Sequence, residues 1–230
     1  MNFFVLNGNI NSRADLGLRI TQPPIIPISR RIVDSVTVDG REGTLTILRG
    51  WDDIRLNMRV ALLGDNLNSR YREVLPATLA AKTIYFSNDP EVFYSIKHVQ
   101  AGAVERRLTN LYEFTLSFTC SPFRFIRNVP MITMTTSGSI INPGTVFSLP
   151  KITVYGTGSQ TLTINGKVIT LNILAGSLVL DSELKTCYFG NVAQNNRMQG
   201  DFPIFKVGSN TVSFGSGITK IEVEGRWRHI

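Results

Sequence analysis

The chain has 230 residues, 43% of them apolar and 18% charged, with a formal net charge of +7. That is enough apolar material for a packed core and too little charge for a disordered chain. The 24 basic and 17 acidic residues are spread evenly: residues 1–130 carry 16 and 12, residues 131–230 carry 8 and 5, and the longest basic runs are the pairs Arg30-Arg31 and Arg106-Arg107. A phosphate-binding stripe clusters its charge more tightly, so a dedicated DNA-binding role is disfavoured.

The segment Met1-Asn-Phe-Phe-Val-Leu6 has neither the basic start nor the long apolar stretch of a signal peptide. No run approaches the roughly 18 apolar residues of a membrane span. Any exit from a cell would then need another route, such as lysis. Further on, Arg55-Leu-Asn-Met-Arg-Val60 alternates with period two, placing Leu56, Met58 and Val60 on one face of a strand. Residues 66–82 read as helix, with Leu67, Tyr71, Val74, Leu75 and Leu79 near one face and Ser69 as a candidate N-cap. Pro76 removes a hydrogen bond and crowds the preceding turn, so the helix is expected to kink there or to divide in two. Tyr112–Phe118 alternates again, with Tyr112, Phe114, Leu116 and Phe118 together.

Cys120-Ser-Pro-Phe-Arg-Phe125 closes this first block, and Asn142-Pro-Gly144 opens a second. The uncharged, Thr/Ser-rich stretch between them would be a linker or an exchanged strand, dividing the chain into domains 1–130 and 131–230. In the second block, Thr161–Leu171 is a hairpin turning at Asn165-Gly166, because a type I′ turn needs positive φ at both positions. The turn pairs Leu162 with Ile169 and Ile164 with Lys167. Further hairpins are expected at Ala175-Gly176, leading into Ser177–Asp181, and at Gly215-Ser-Gly217, between Thr211–Phe214 and Ile218–Val223. Short strands at this spacing indicate a sandwich. The fold class is therefore mostly β with one short helical segment, built as two β-sandwich domains.

Residues that carry chemistry are sparse. His98 and His229 lack motif neighbours, and Cys120 and Cys187 sit in apolar strand-like contexts that suit buried, inert thiols. No Cys/His/Asp/Glu spacing matches a metal site. Gly156-Thr-Gly158 precedes a strand instead of joining strand to helix, so it reads as a turn, not a dinucleotide fingerprint. Asp181-Ser-Glu183 is compatible with a glycosidase carboxylate pair, although a turn with a surface ion pair is the commoner meaning. Gln194-Asn-Asn196 and Gly200-Asp201 read as loop polarity. Tyr155, Tyr188, Phe189, Phe202, Phe205 and Trp227 read as core aromatics more than as a sugar-stacking platform. No catalytic residue, cofactor or metal ligand is assigned, and no enzymatic activity is expected.

Several segments taken together resemble the distal tail protein (Dit) family of siphophages. They are the turn Asp39-Gly-Arg-Glu-Gly43 with Trp51 and the strand Arg55–Val60, then Ile84–Tyr94 followed by Phe118-Thr-Cys-Ser-Pro-Phe123. In the second block they are Pro150–Gly158, Leu162–Gly166, Leu180–Glu183, Met198–Pro203 and Arg226-Trp-Arg228. The resemblance spans nearly the whole chain and is weakest over its first 35 residues. It implies an N-terminal ring-forming sandwich with a helix near 67–82 and a protruding hairpin, for which residues 95–110 around Arg106-Arg107 are a candidate. It implies a galectin-like, jelly-roll C-terminal domain. It also implies a homo-hexameric ring at the phage tail tip, joining the tail tube protein to a tail-associated lysin or baseplate hub protein and in some cases to receptor-binding proteins. DNA would pass only as cargo through the lumen. The protein would sit in the virion, after assembly in the host cytoplasm. The His-Asn-Arg set with a stacking Trp and a Glu that galectins use for sugar is not found here. Binding of host-wall saccharide by the C-terminal domain stands as the alternative function.

Overall fold

A computed structural model describes residues 3–174 and 176–230. The chain forms two compact units that divide between Arg127 and Asn128. The first holds the strands β1 (Phe4–Leu6), β2 (Ile10–Asn11), β3 (Leu18–Gln22), β4 (Arg31–Thr37), β5 (Thr44–Trp51), β6 (Ile54–Leu63), β7 (Thr83–Phe86), β8 (Asp89–Ala101), β9 (Glu105–Leu108) and β10 (Leu111–Ile126), with one helix, α1 (Leu67–Leu79).

Its main sheet is antiparallel in the order β2-β1-β7-β8-β10-β6-β3, and β9 also pairs with β10. The period-two faces emerge as expected: Leu56, Met58 and Val60 of β6 and Phe114, Leu116 and Phe118 of β10 are buried. Phe4 of β1 packs edge-on to Phe118 with ring centroids 6.2 Å apart. Three strand spacings separate β1 from β10, about 14 Å on a flat sheet. The sheet therefore curls until its two halves share one core, as in a sandwich.

The helix differs from expectation in three respects. It is a single run through Pro76 and not two short helices, its N-cap is Asn66 in the left-handed region instead of Ser69, and Leu79 is exposed while Thr78 is buried. Pro76 is tolerated because it and Arg72, whose carbonyl loses its partner, both lie on the solvent face, where water can take the bond. Thr78 returns its hydroxyl to the Val74 carbonyl at 2.9 Å, which lets a polar side chain occupy the inner face.

The second unit comprises β11 (Ile132–Met134), β12 (Gly138–Asn142), β13 (Lys151–Gly156), β14 (Gly158–Ile164), β15 (Lys167–Ile173), β16 (Ser177–Asp181), β17 (Thr186–Phe189), β18 (Val192–Ala193), β19 (Met198–Gln199), β20 (Gly208–Phe214) and β21 (Ile218–Glu224). They form two antiparallel sheets, β11-β21-β13-β16-β17-β18 and β12-β20-β14-β15-β19. Between them lies a core that includes Ile152, Val154, Leu162, Leu171, Leu180, Ile221 and Val223. Phe205 and Trp227 join it, ring to ring at 5.7 Å. Tyr155, Tyr188 and Phe202 are only half-buried and Phe189 is exposed, so the core reading fails for these four.

The Asn165-Gly166 hairpin forms in the expected register, with φ of 51° and 79° at the turn. The two other hairpins do not form. The strands flanking Gly215–Gly217, β20 and β21, lie in different sheets, as do β15 and β16; of the turn expected at Ala175-Gly176, Ala175 lies outside the described residues. Gly156–Gly158 is likewise a crossing, from β13 in one sheet to β14 in the other. Side chains alternate in the same way whether the chain returns beside itself or arches over the core, which is why alternation cannot separate the two. Close approach fixes Gly156: a Cβ there would stand 2.4 Å from the Gly217 carbonyl oxygen.

Candidate assembly interface

Cys120 and Cys187 are free and fully buried, and burial pushes their thiols up to about 12 and about 11. His98 is exposed and His229 half-buried. Among the described residues, no group of three His, Cys, Asp or Glu side chains could hold a metal ion, and no helix is long and apolar enough to cross a membrane.

The expected surface ion pair at Asp181 is a buried one. Asp181 is 3% exposed at its side chain and receives both arms of Arg226, at 2.8 and 2.9 Å, along with the backbone N–H groups of Glu183 and Leu184 at 3.1 Å each. Burial raises its pKa, but the Arg226 hydrogen bonds, the Leu184 amide, the Arg226 charge and the Glu183 amide outweigh that and hold it below the ordinary carboxylate value. Glu183 is also held by Arg226, at 3.1 Å. The two carboxylates thus clamp the end of β16 to the segment after β21; they are not poised as an acid and a nucleophile. Asn195 is likewise structural, accepting the Cys187 N–H at 2.6 Å, so it is more than loop polarity.

Residues 95–110 are not the projecting hairpin. They end β8 and form β9, both paired to β10 within the main sheet. Arg107 is spent on Glu105 and Glu113, which Arg59 also meets at 2.9 and 3.2 Å. The element standing apart is the β4–β5 hairpin, a separate two-stranded sheet. Its tip is the Asp39–Gly43 turn, where Gly40 and Gly43 both take φ of 77°.

Apolar surface gathers on this hairpin. Val36 pairs across the strands with Leu45; two residues along, Ile47 stands opposite Asp34, and Ile32 follows four residues from Val36, beyond a register shift. All four are left 36 to 42% exposed. The opposite face carries Val33 against Leu48, the latter 61% exposed. The segment before β4 adds Ile25 and Ile28, 83% and 78% exposed. Pro23, Pro24 and Pro27 keep this segment out of the sheet ladder. It crosses the polar face of β6, leaving a cleft of about 400 Å³ lined by Gln22, Ile25, Arg55, Asn57 and Arg59.

The base of the hairpin is fixed. Ser29 donates to the Asp52 carbonyl at 2.6 Å, Asp52 N–H donates to the Arg30 carbonyl at 2.8 Å, and the Arg31 guanidinium sits 4.0 Å from the Trp51 ring, which meets Phe123 edge-on. A two-stranded ribbon with apolar residues on both faces is marginal alone in water. Contiguous exposed apolar surface of this kind is typical of sites that meet another protein, a membrane or a ligand. The sequence does contain the signal, since Ile32, Val33, Val36, Leu45, Ile47 and Leu48 are legible as strand residues. Their exposure is not, because the same alternation also describes a core strand.

No family model matches this chain, and no curated protein matches it. Among solved structures, the Dit protein of phage SPP1, described as a paradigm of the hub of the adsorption apparatus in phages that infect Gram-positive hosts, superposes with a TM-score of 0.62 over 97% of both chains at 14% identity. A chain of the phage P2 baseplate, in its activated conformation with Ca, matches with a TM-score of 0.51 over 97% of both chains at 10% identity. The chain has the fold of a Dit-type hub protein.

Proposed function

We propose that this protein is a structural subunit of a phage tail tip. Copies assemble through the first unit into a hexameric ring that links the tail tube to the host-adhesion apparatus and leaves a channel through which DNA passes as cargo. Its partners are further copies of itself, the tail tube protein and a tail-associated lysin or baseplate hub protein, with receptor-binding proteins as further candidates. It assembles in the host cytoplasm and resides in the virion. The reading assigns it no catalysis and no membrane insertion.

The observation that carries this reading is the apolar β4–β5 hairpin with the Pro23–Ile28 segment beside it. A ring is closed by heterologous contacts, in which one patch of a subunit meets a different patch of the next. A hairpin exposed on both faces suits insertion between neighbours, and the likeness in fold to phage hub proteins over both chains supports the setting. Light scattering on the purified chain should give a mass several times the 25.6 kDa of one copy, with rings in negative stain. A strict monomer, alone and with the tail tube and hub proteins added, at low and high salt, refutes the ring.

A further inference from the structure

One end of the second unit's sandwich is open. Where β14 turns into β15, the buried side chains of Ile164 and Ile169 form the floor of a cavity of about 150 Å³. The segment 201–206 walls it with Phe202 and the exposed Ile204. An apolar cavity of roughly 150 Å³ takes a benzene-sized group.

The walls are set before anything binds. Asn210, fully buried, accepts the Lys206 N–H and the Asn165 side-chain amide at 2.7 Å each, and donates to the Lys206 and Gly208 carbonyls at 2.8 Å each. Asn165 in turn accepts the Thr211 N–H at 3.1 Å. One buried amide therefore joins the β14–β15 turn to the loop that walls the cavity. The mouth is basic. Lys167 and Lys206 line it, and the Lys185 ammonium stands 5.6 Å from the Phe202 ring centroid. Asp201, 3.4 Å from Lys167, is the one carboxylate among the described residues that line the cavity.

We propose that this mouth is a docking pocket for an acidic peptide segment of a partner protein, which inserts one aromatic or branched aliphatic side chain onto Ile164 and Ile169 while its carboxylates meet Lys167 and Lys206. A single anchor in a preformed pocket, ringed by weaker contacts, is how most protein interfaces concentrate their energy. A saccharide fits less well. Both ends of the Asn165 amide are already engaged, and the floor is branched aliphatic, offering no flat ring to stack on. The pocket lies within the second unit and does not depend on the ring.

The test is fluorescence anisotropy of the full chain with a labelled peptide Asp-Glu-Glu-Phe-Glu-Asp. Saturable binding is expected, falling about tenfold or more when the peptide's Phe is replaced by Ala or when the pocket carries Ile204→Asp. It should also weaken as salt screens the lysines. Ile204→Asp is on the surface, and its circular dichroism should match the parent. Val192→Asp, on edge strand β18 of the other sheet and outside the cavity lining, should leave binding unchanged. Absence of saturable binding, or binding indifferent to the Phe anchor or to Ile204→Asp, overturns the proposal. Displacement of the peptide by N-acetylglucosamine at the same residues overturns it in favour of a saccharide site.

Discussion

Replacing Val36 and Leu45 together by Thr tests whether the hairpin's apolar face drives assembly. The two side chains face each other across β4 and β5, and each is 42% exposed in the single chain. Complete burial of such a side chain is worth about 1.5–3 kcal/mol, so the exposed fraction still holds roughly 0.6–1.3 kcal/mol per residue for a docking partner to recover. The pair accounts for about 1–2.5 kcal/mol per contact, a roughly five- to seventyfold loss in association. Thr is a good strand former, so the ribbon itself is kept, and surface changes of this kind shift unfolding by less than about 0.5 kcal/mol. Mass photometry over a dilution series of parent and variant should show the assembly midpoint moving to higher concentration, with matching thermal melts. An unchanged midpoint refutes the assignment of the contact to this face. A lowered melt shows that the hairpin is part of the subunit's own stability instead.

Other perturbations probe the second unit. Asp181→Ala should cost about 3 kcal/mol in urea unfolding, the low end for breaking a buried pair, because Glu183 and Glu224 remain near Arg226. The folded pKa of Asp181 is depressed, so its contribution is fully present above the unfolded carboxylate value of about 3.9 and is lost as pH falls through the folded value. Parent and variant stabilities should therefore differ by a constant amount above about pH 4 and approach each other as the pH falls below it. Gly156→Ala drives a methyl into the Gly217 carbonyl and should destabilise by about 1–3 kcal/mol in the same assay. With Ellman's reagent, neither thiol should react in the native protein and both should react in denaturant, since both are buried with raised pKa values.

What was legible in the sequence is whatever depends on local alternation or on turn chemistry. The inner faces of β6 and β10 follow from period two, and the Asn165-Gly166 hairpin follows from the need for positive φ at both turn residues. What escaped depends on the third dimension. The residues at 156–158 and 215–217 show ordinary strand–turn–strand patterns, and only the pairing of their strands reveals that the chain crosses between sheets. Pro76 argued against a continuous helix because its exposure, and that of Arg72, is unknown until the helix docks. Asp181 looked like a surface residue because its partner, Arg226, is 45 residues away. The hairpin was misplaced at 95–110 by its charged pair Arg106-Arg107, whereas the projecting element is the apolar one. Charge suggested surface, but an exposed apolar strand reads in the sequence like a core strand.

Assembly into a ring can be observed outright. Purified chain, and chain mixed with the tail tube and hub proteins, should be imaged by negative stain and weighed by light scattering at low and high salt. Closed rings of six copies with an open centre are expected. Monomers under every one of these conditions would contradict it.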